Sequence, residues 1–206
     1  MSHELRTPLS AVIGYAEMLE EEAAALPQAG DFLDDLRKIN SNARHLLSLI
    51  NDVLDLSKIE AGRMEVQPEE FDACELVREV AGTVESLAER RGNRLVVECD
   101  ETHGAMHSDP VKIRQCLFNL LGKAAKFTEG GTITLSAVRD ERSAAFTVRD
   151  SGIGMTPEQL DRLFQRFSQA DASTTRRFGG TGLGLSITKA FVTMLGGTIR
   201  VESEAG

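Results

Sequence analysis

Leu5-Arg6-Thr7-Pro8-Leu9-Ser10-Ala11-Val12-Ile13-Gly14-Tyr15-Ala16-Glu17-Met18-Leu19 carries apolar residues at Leu5, Leu9, Val12, Ala16 and Leu19, at spacings that alternate between four and three. That rhythm is the seam of an α-helix packed in a bundle. The helix breaks between Leu26 and Gly30, where Pro27 and Gly30 interrupt it, and Asp31 then caps a second helix. Its stripe is Leu36, Ile39, Ala43, Leu46, Ile50 and Val53, again at spacings of three and four. Two seamed helices joined by a short turn are too thin to bury their own stripes, and a four-helix homodimer is the simplest arrangement that covers them.

The remainder of the chain cannot share that architecture. Ten of the 18 glycines fall between Gly130 and Gly197, whereas the first 60 residues hold only Gly14 and Gly30. After Gly62 and Pro68 the pattern becomes an α/β alternation. A helix is predicted near Cys74 to Arg90, a strand over Arg94 to Cys99, and a helix over Pro110 to Phe127. Strands follow at Thr132 to Val138 and Ala144 to Val148, then a short helix opened by Pro157, a helix from about Leu183 to Leu195, and a strand at Thr198 to Glu202. Ser168 to Gly182 is polar, glycine-containing and aperiodic, as a lid would be. The fold class is therefore α+β in two domains: a helical hairpin over 1–66 and an α/β domain over 67–206. Met1 stands two residues before His3, and Gly206 directly follows the last predicted strand, so both domains read as truncated at their outer ends.

Composition excludes several classes. With 206 residues, 41% hydrophobic and 27% charged, the chain is neither disordered nor dependent on a disulfide framework. A net charge of -9 disfavours nucleic acid and anionic membrane surfaces. Cys74, Cys99 and Cys116 lie far apart without a C-x-x-C spacing, which argues against zinc and fits reduced thiols in a cytoplasmic compartment. No apolar run approaches the roughly 18 residues of a membrane span, although a longer parent protein is free to be membrane-anchored.

Chemistry enters at His3-Glu4-Leu5-Arg6-Thr7-Pro8, which sets an imidazole, an adjacent carboxylate and, one helical turn on, a hydroxyl. Pro8 removes a backbone donor and predicts a bend. With Ser2 in front, this run resembles the H-box of sensor histidine kinases, and Asn51 to Arg63 resembles the end of that family's second dimerisation helix. The resemblance implies that His3 is the phosphoacceptor. It implies also that Glu4 polarises the imidazole or takes its proton, and that Thr7 orients a water that hydrolyses a partner's phospho-aspartate.

A second constellation lies later in the chain. Asp150-Ser151-Gly152-Ile153-Gly154-Met155 follows a predicted strand, so Asp150 can accept a hydrogen bond from an adenine amino group while Gly152 and Gly154 let the base approach the backbone. Gly179-Gly180-Thr181-Gly182-Leu183-Gly184-Leu185 precedes a helix, where backbone N–H groups can hold phosphates. Neither G-x-x-x-x-G-K-[ST] nor G-x-G-x-x-G is present. Together, Asn119 to Thr128, Asp150 to Met155, Leu163-Phe164-Gln165-Arg166-Phe167 and Gly179 to Leu185 resemble, in order and spacing, the N, G1, F and G2 boxes of the histidine-kinase ATP-binding domain. That domain belongs to the gyrase, chaperone, histidine kinase and MutL group.

The resemblance implies an α/β sandwich with ATP or ADP under a lid over about Phe167 to Thr181. Lys126 would reach the phosphates, Phe164 and Phe167 would brace the lid root, and Arg176 or Arg177 would meet phosphate on closure, with Gly180, Thr181, Gly182, Leu183 and Gly184 along the phosphate-binding loop. One position departs from the family pattern: Lys123 stands where a second asparagine, four residues after Asn119, would help hold Mg²⁺. An ammonium has no lone pair for a metal, so Asn119 is left as the metal-binding candidate.

The implied activity is an ATP-dependent protein-histidine kinase. It would phosphorylate His3 and pass the phosphoryl group to an aspartate of a response-regulator receiver, as a homodimer under an upstream sensor domain outside this sequence. The alternative is a kinase-weakened nucleotide-binding interaction or phosphatase module, for which Lys123 speaks.

Overall fold

The computed structural model describes residues 2–26, 30–99, 105–140, 143–166 and 182–206, with side chains from Arg6 onward. By internal contacts the chain divides into a unit over Met1–Met64 and a second over Glu65–Gly206.

The first unit is a pair of helices, α1 (Ser2–Ala24) and α2 (Gly30–Glu60). Pro8 lies inside α1, which runs on across it. Three polar pairs fix an antiparallel register: Arg6 donates to Asn51 Oδ1 at 2.9 Å, Arg44 to Glu17, and Arg37 Nε to Glu20 Oε1 at 3.2 Å. The two sequence stripes do not act as single seams. Ala16 and Ala23 are buried with Leu36 and Ala43 where α1 meets α2. Val12 and Leu19 of α1, and Ile39, Leu46 and Val53 of α2, point away from that seam; the last three are each 49% exposed. These outward residues are seven apart on each helix, which is coiled-coil spacing. Met18 is exposed as well.

The second unit holds β1 (Glu69–Asp72), α3 (Ala73–Glu89), β2 (Arg94–Cys99), β3 (Ala105–Ser108), α4 (Pro110–Phe127), β4 (Thr132–Arg139), β5 (Ala144–Asp150), α5 (Pro157–Arg162) and α6 (Gly184–Met194). One sheet has the order β2-β4-β5, with β2 parallel and β5 antiparallel to β4; β1 and β3 form a separate antiparallel pair. Local chemistry starts the helices. Asp72 accepts from the backbone N–H of Cys74 and Glu75, and Asp109 accepts from Lys112 N–H ahead of Pro110 at the first turn. Thr156 and Gln159 form a reciprocal capping box on α5. Ile133, Leu135 and Ala137 alternate along β4 and enter one core with Val77, Val80 and Val84 of α3 and Leu117, Leu121 and Ala125 of α4. A layer of helices thus packs on one face of the sheet.

Two expectations need correction. Thr198 to Glu202 joins no sheet among the described residues, although Ile199 and Val201 remain half-buried between exposed neighbours. Alternation specifies a face; it does not supply a ladder partner. Second, Cys74 and Cys99 are not reduced thiols but form a disulfide, with Cα atoms 5.7 Å apart. The turn at 90–93 folds β2 back along α3, so the first turn of the helix meets the last residue of the strand. Cys116 stays free and buried, and burial pushes its thiol up to about 12.

Alkylation of the denatured, unreduced protein should therefore modify one cysteine, and alkylation after reduction three. Cys99→Ser should cost roughly 3 kcal/mol in urea unfolding, the loop-closure value for a 25-residue separation. Three modified cysteines without reduction would show the bridge is not formed.

Candidate functional site

Among the described residues of the later motifs, the C-terminal half of α4 holds the others together: Asn119 at its middle meets the start of α6, and Phe127 and Thr128 at its end meet the Asp150 loop after β5. Asn119 is the joint. Its Nδ2 donates to Thr188 Oγ1 on α6 at 2.7 Å. On its other side a Cβ at Gly184 would stand 2.5 Å from Asn119 Oδ1, so only glycine admits this amide to the start of α6. Gly182, at φ +70°, turns the chain into that helix. Leu183 is buried, and its carbonyl accepts from Ile187 N–H at 3.0 Å and Ser186 Oγ at 2.7 Å.

The Asp150 loop is held by its own backbone. Asp150 Oδ1 accepts from Gly152 N–H at 2.9 Å and from Thr128 Oγ1 at 3.4 Å. A side chain at Gly152 would come within 2.6 Å of the Phe127 carbonyl, and one at Gly154, at φ +64°, would strike the Glu204 backbone. The glycines therefore serve close packing of chain on chain: Ile153 N–H donates to Phe127 O at 3.3 Å and Gly206 N–H to Ile153 O at 3.1 Å. Exposed Asp150 keeps Oδ2 outside these bonds.

Sequence reasoning missed the support beneath this loop. Buried Asn93 donates to Thr128 O at 2.9 Å and accepts from Gly131 N–H at 3.0 Å, which fastens the turn between α4 and β4. Arg91 donates to Lys126 O at 2.9 Å. The signal was Gly92, at φ +68° between them, a turn that presents both side chains to the same place.

The electrostatics favour an anion. Lys126 lies below the ordinary lysine pKa, first through burial and then through the positive charges of Lys123 and Arg91. A phosphate placed among these cations would offset their mutual repulsion. Phe164 sits under the Lys189 ammonium, 5.3 Å from nitrogen to ring centroid. Phe167, Arg176, Arg177, Gly180 and Thr181 lie outside the described residues, and the side chains of His3 and Glu4 are likewise not described. Thr7 is exposed on α1.

The donor set does not fit a protein-built divalent site. Among the described residues no three His, Cys, Asp or Glu side chains converge, and α4 places Lys123 one turn beyond Asn119, whose Nδ2 donates to Thr188 while its Oδ1 lies in the space a side chain at 184 would need.

Residues 1–62 match the family model of the His Kinase A (phospho-acceptor) domain, and residues 108–206 match that of the histidine kinase-, DNA gyrase B- and HSP90-like ATPases. The chain belongs to the sensor histidine kinases. This histidine-kinase core is 41% identical to the circadian input-output histidine kinase CikA of Synechococcus elongatus, an alignment that covers 100% of the chain and 28% of the relative. It is 38% identical to the sensor protein GacS of Pseudomonas syringae, covering 100% of the chain and 23% of the relative. The chain thus spans about a quarter of the length of these curated relatives. Among solved structures it is similar to full-length ShkA in complex with AMPPNP, with a TM-score of 0.79, 32% identity, and coverage of 100% of this chain and 42% of that one. The histidine kinase AdeS of Acinetobacter baumannii, 24% identical with a TM-score of 0.68 over 98% of this chain and 92% of its own, shares the fold. No helix among the described residues of the kinase core is long and apolar enough to cross a membrane.

Gly184→Ala should displace the Asn119 amide and weaken nucleotide binding about tenfold, the effect of one lost polar contact. Calorimetry with ATP and ADP checks this; unchanged affinity in a folded variant would separate Asn119 from the site.

Proposed function

We propose that the second unit binds ATP among α4, the Asp150–Met155 loop and the start of α6, and delivers its γ-phosphoryl group to His3. An imidazole nitrogen of His3 attacks the γ-phosphorus, the bond to the β,γ-bridging oxygen breaks, and ADP leaves. Glu4 takes the imidazole proton, and His3 becomes a phosphoramidate. Asp150 accepts from the adenine amino group, while Lys123, Lys126 and Gly184 face the phosphates. The phosphoryl group then passes to an aspartate of a response-regulator receiver, and Thr7 orients water when the reaction runs as a phosphatase. The reading places this chemistry on the cytoplasmic side, under a sensor domain, with no nucleic-acid partner. Its main support is the joint at Asn119 and Gly184, which unites motifs 65 positions apart around a cationic patch, together with the two family matches in one chain.

A second reading is favoured by Lys123. Its charge acts on Lys126, so it supplies at short range part of what a divalent ion would bring, and nucleotide binding becomes weakly dependent on metal while phosphoryl transfer stays slow. Incubation with γ-labelled ATP should give acid-labile, base-stable label that His3→Gln abolishes without loss of nucleotide affinity. Lys123→Asn should raise both the Mg²⁺ dependence of calorimetric ADP affinity and the labelling rate. Label retained in His3→Gln would overturn the assignment of His3. Equal metal dependence in the two proteins would overturn the role of Lys123.

The outward stripes of α1 and α2 support a homodimer, since seven-residue apolar spacing left in water would otherwise be unmatched. Ile39→Glu with Leu46→Glu should convert a dimer to a monomer in sedimentation at micromolar concentration while nucleotide affinity holds. A dimer that survives both changes would place the interface elsewhere.

A further inference from the structure

The connection between the two units is nearly all accounted for by hydrogen bonds. α2 closes with Gly62 N–H donating to Ile59 O at 3.0 Å and Arg63 N–H to Lys58 O at 2.9 Å, around Gly62 at φ +62°. The bonding of the helical unit therefore extends to Arg63. Two residues later the bonding of the α/β unit begins. Lys112 Nζ donates to Glu65 O and to Asp109 Oδ2, each at 2.6 Å, and Gln67 N–H donates to the same Oδ2 at 2.9 Å. Asp109 Oδ1 meanwhile accepts from Lys112 N–H at 3.0 Å. Met64 alone separates the last residue held by α2 from the first held by α4.

The pair making these bonds is out of place in an ordinary core. Asp109 is 1% exposed and Lys112 8% exposed, with the ammonium 5.9 Å from the ring centroid of Phe191 on α6. Burying two charges costs desolvation that an apolar pair would avoid, so its retention asks for a use. Short charge-assisted bonds to main-chain groups of the linker supply one. Burial alone would raise the Asp109 pKa, but hydrogen bonds from Gln67 and Lys112 outweigh it and leave the carboxyl below its ordinary value. The contribution of a carboxylate so depressed is present above the unfolded pKa and is lost only as pH falls through the folded one, so it is fully present at neutral pH.

We propose that Asp109 and Lys112 clamp the interdomain linker, confining the pivot between the two units to Met64, and thereby act as positioning residues for phosphoryl delivery to His3. The delivery step rests on the kinase reading above. With the clamp closed, one residue's φ and ψ carry the swing of the α/β unit. With it open, Glu65, Val66 and Gln67 add three more residues of freedom before Pro68 restricts the chain again. A longer, looser tether changes the effective concentration of one reactant at the other without touching either site.

Lys112→Met keeps the stem against Phe191 and removes the ammonium; Asp109→Asn keeps the cap on α4 and removes the charge. In both, hydrogen exchange at the Gln67 amide should rise at least tenfold. Nitroxide pairs on exposed Glu21→Cys and Glu85→Cys, in dimers diluted with unlabelled chain, should give a visibly broader distance distribution. Nucleotide affinity should stay within twofold while the rate of His3 labelling at saturating ATP changes at least fivefold. Insertion of Gly-Ser after Met64 in the otherwise unchanged chain should reproduce the rate change without the exchange change, and add little to Lys112→Met. An unbroadened distance distribution in folded Lys112→Met overturns the clamp whether or not the chain labels His3. A broadened distribution with an unchanged labelling rate overturns its positioning role. Absence of label in the unsubstituted chain, with the clamp variants still broadening, would instead count against the kinase reading and remove the delivery role with it.

Discussion

The amide of Asn119, bonded to Thr188 on one side and lodged against Gly184 on the other, is the contact on which the α/β unit's functional end depends. It fixes the start of α6 to the middle of α4, and the glycine is required because any larger residue would displace the amide. The Asp150 loop depends on a comparable constraint at Phe127, whose carbonyl occupies the space that a side chain at Gly152 would need. Glycines in these motifs therefore matter for how closely two backbones can approach. The shape of the site follows from that closeness.

In the helical unit a different balance rules. The seam between α1 and α2 is built largely from alanine, at Ala16, Ala23 and Ala43 around Leu36. Small side chains let the helices approach but remove little apolar area from water, and ordering each residue costs roughly 1 kcal/mol or more of conformational entropy. The larger residues sit on the outward stripe of Val12, Leu19, Ile39, Leu46 and Val53. The two-helix unit thus keeps much of its potential for burial on the outside, where a second copy can use it.

Charge is used in two distinct ways. Around Lys126 burial first, and then the positive charges of Lys123 and Arg91, hold the lysine below its ordinary pKa, an environment that an anion would relieve. At Asp109 and Lys112 opposite charges are paired, buried and saturated with backbone bonds. The first arrangement is suited to a ligand that comes and goes. The second is suited to a joint that must not move at neutral pH.

Much of this was legible without coordinates. Periodicity placed α4 at Pro110–Phe127 and β2 at Arg94–Cys99, because helix caps, turns and repeats are local properties of the chain. The second oxygen of Asp109, held by Gln67 and Lys112, was not legible in this way. Nor were the Cys74–Cys99 bridge, the division of one stripe into inward Leu36 and outward Ile39, the support of the site by Asn93, or the lack of a ladder partner for Thr198 to Glu202 among the described residues. The sequence by itself determined the helices and the strands β2, β4 and β5, whose periodicity is local, but not the short pair β1 and β3. The tertiary structure decided which of them meet, since pairing across 25 to 70 residues depends on how whole elements pack and leaves no periodic trace in the chain.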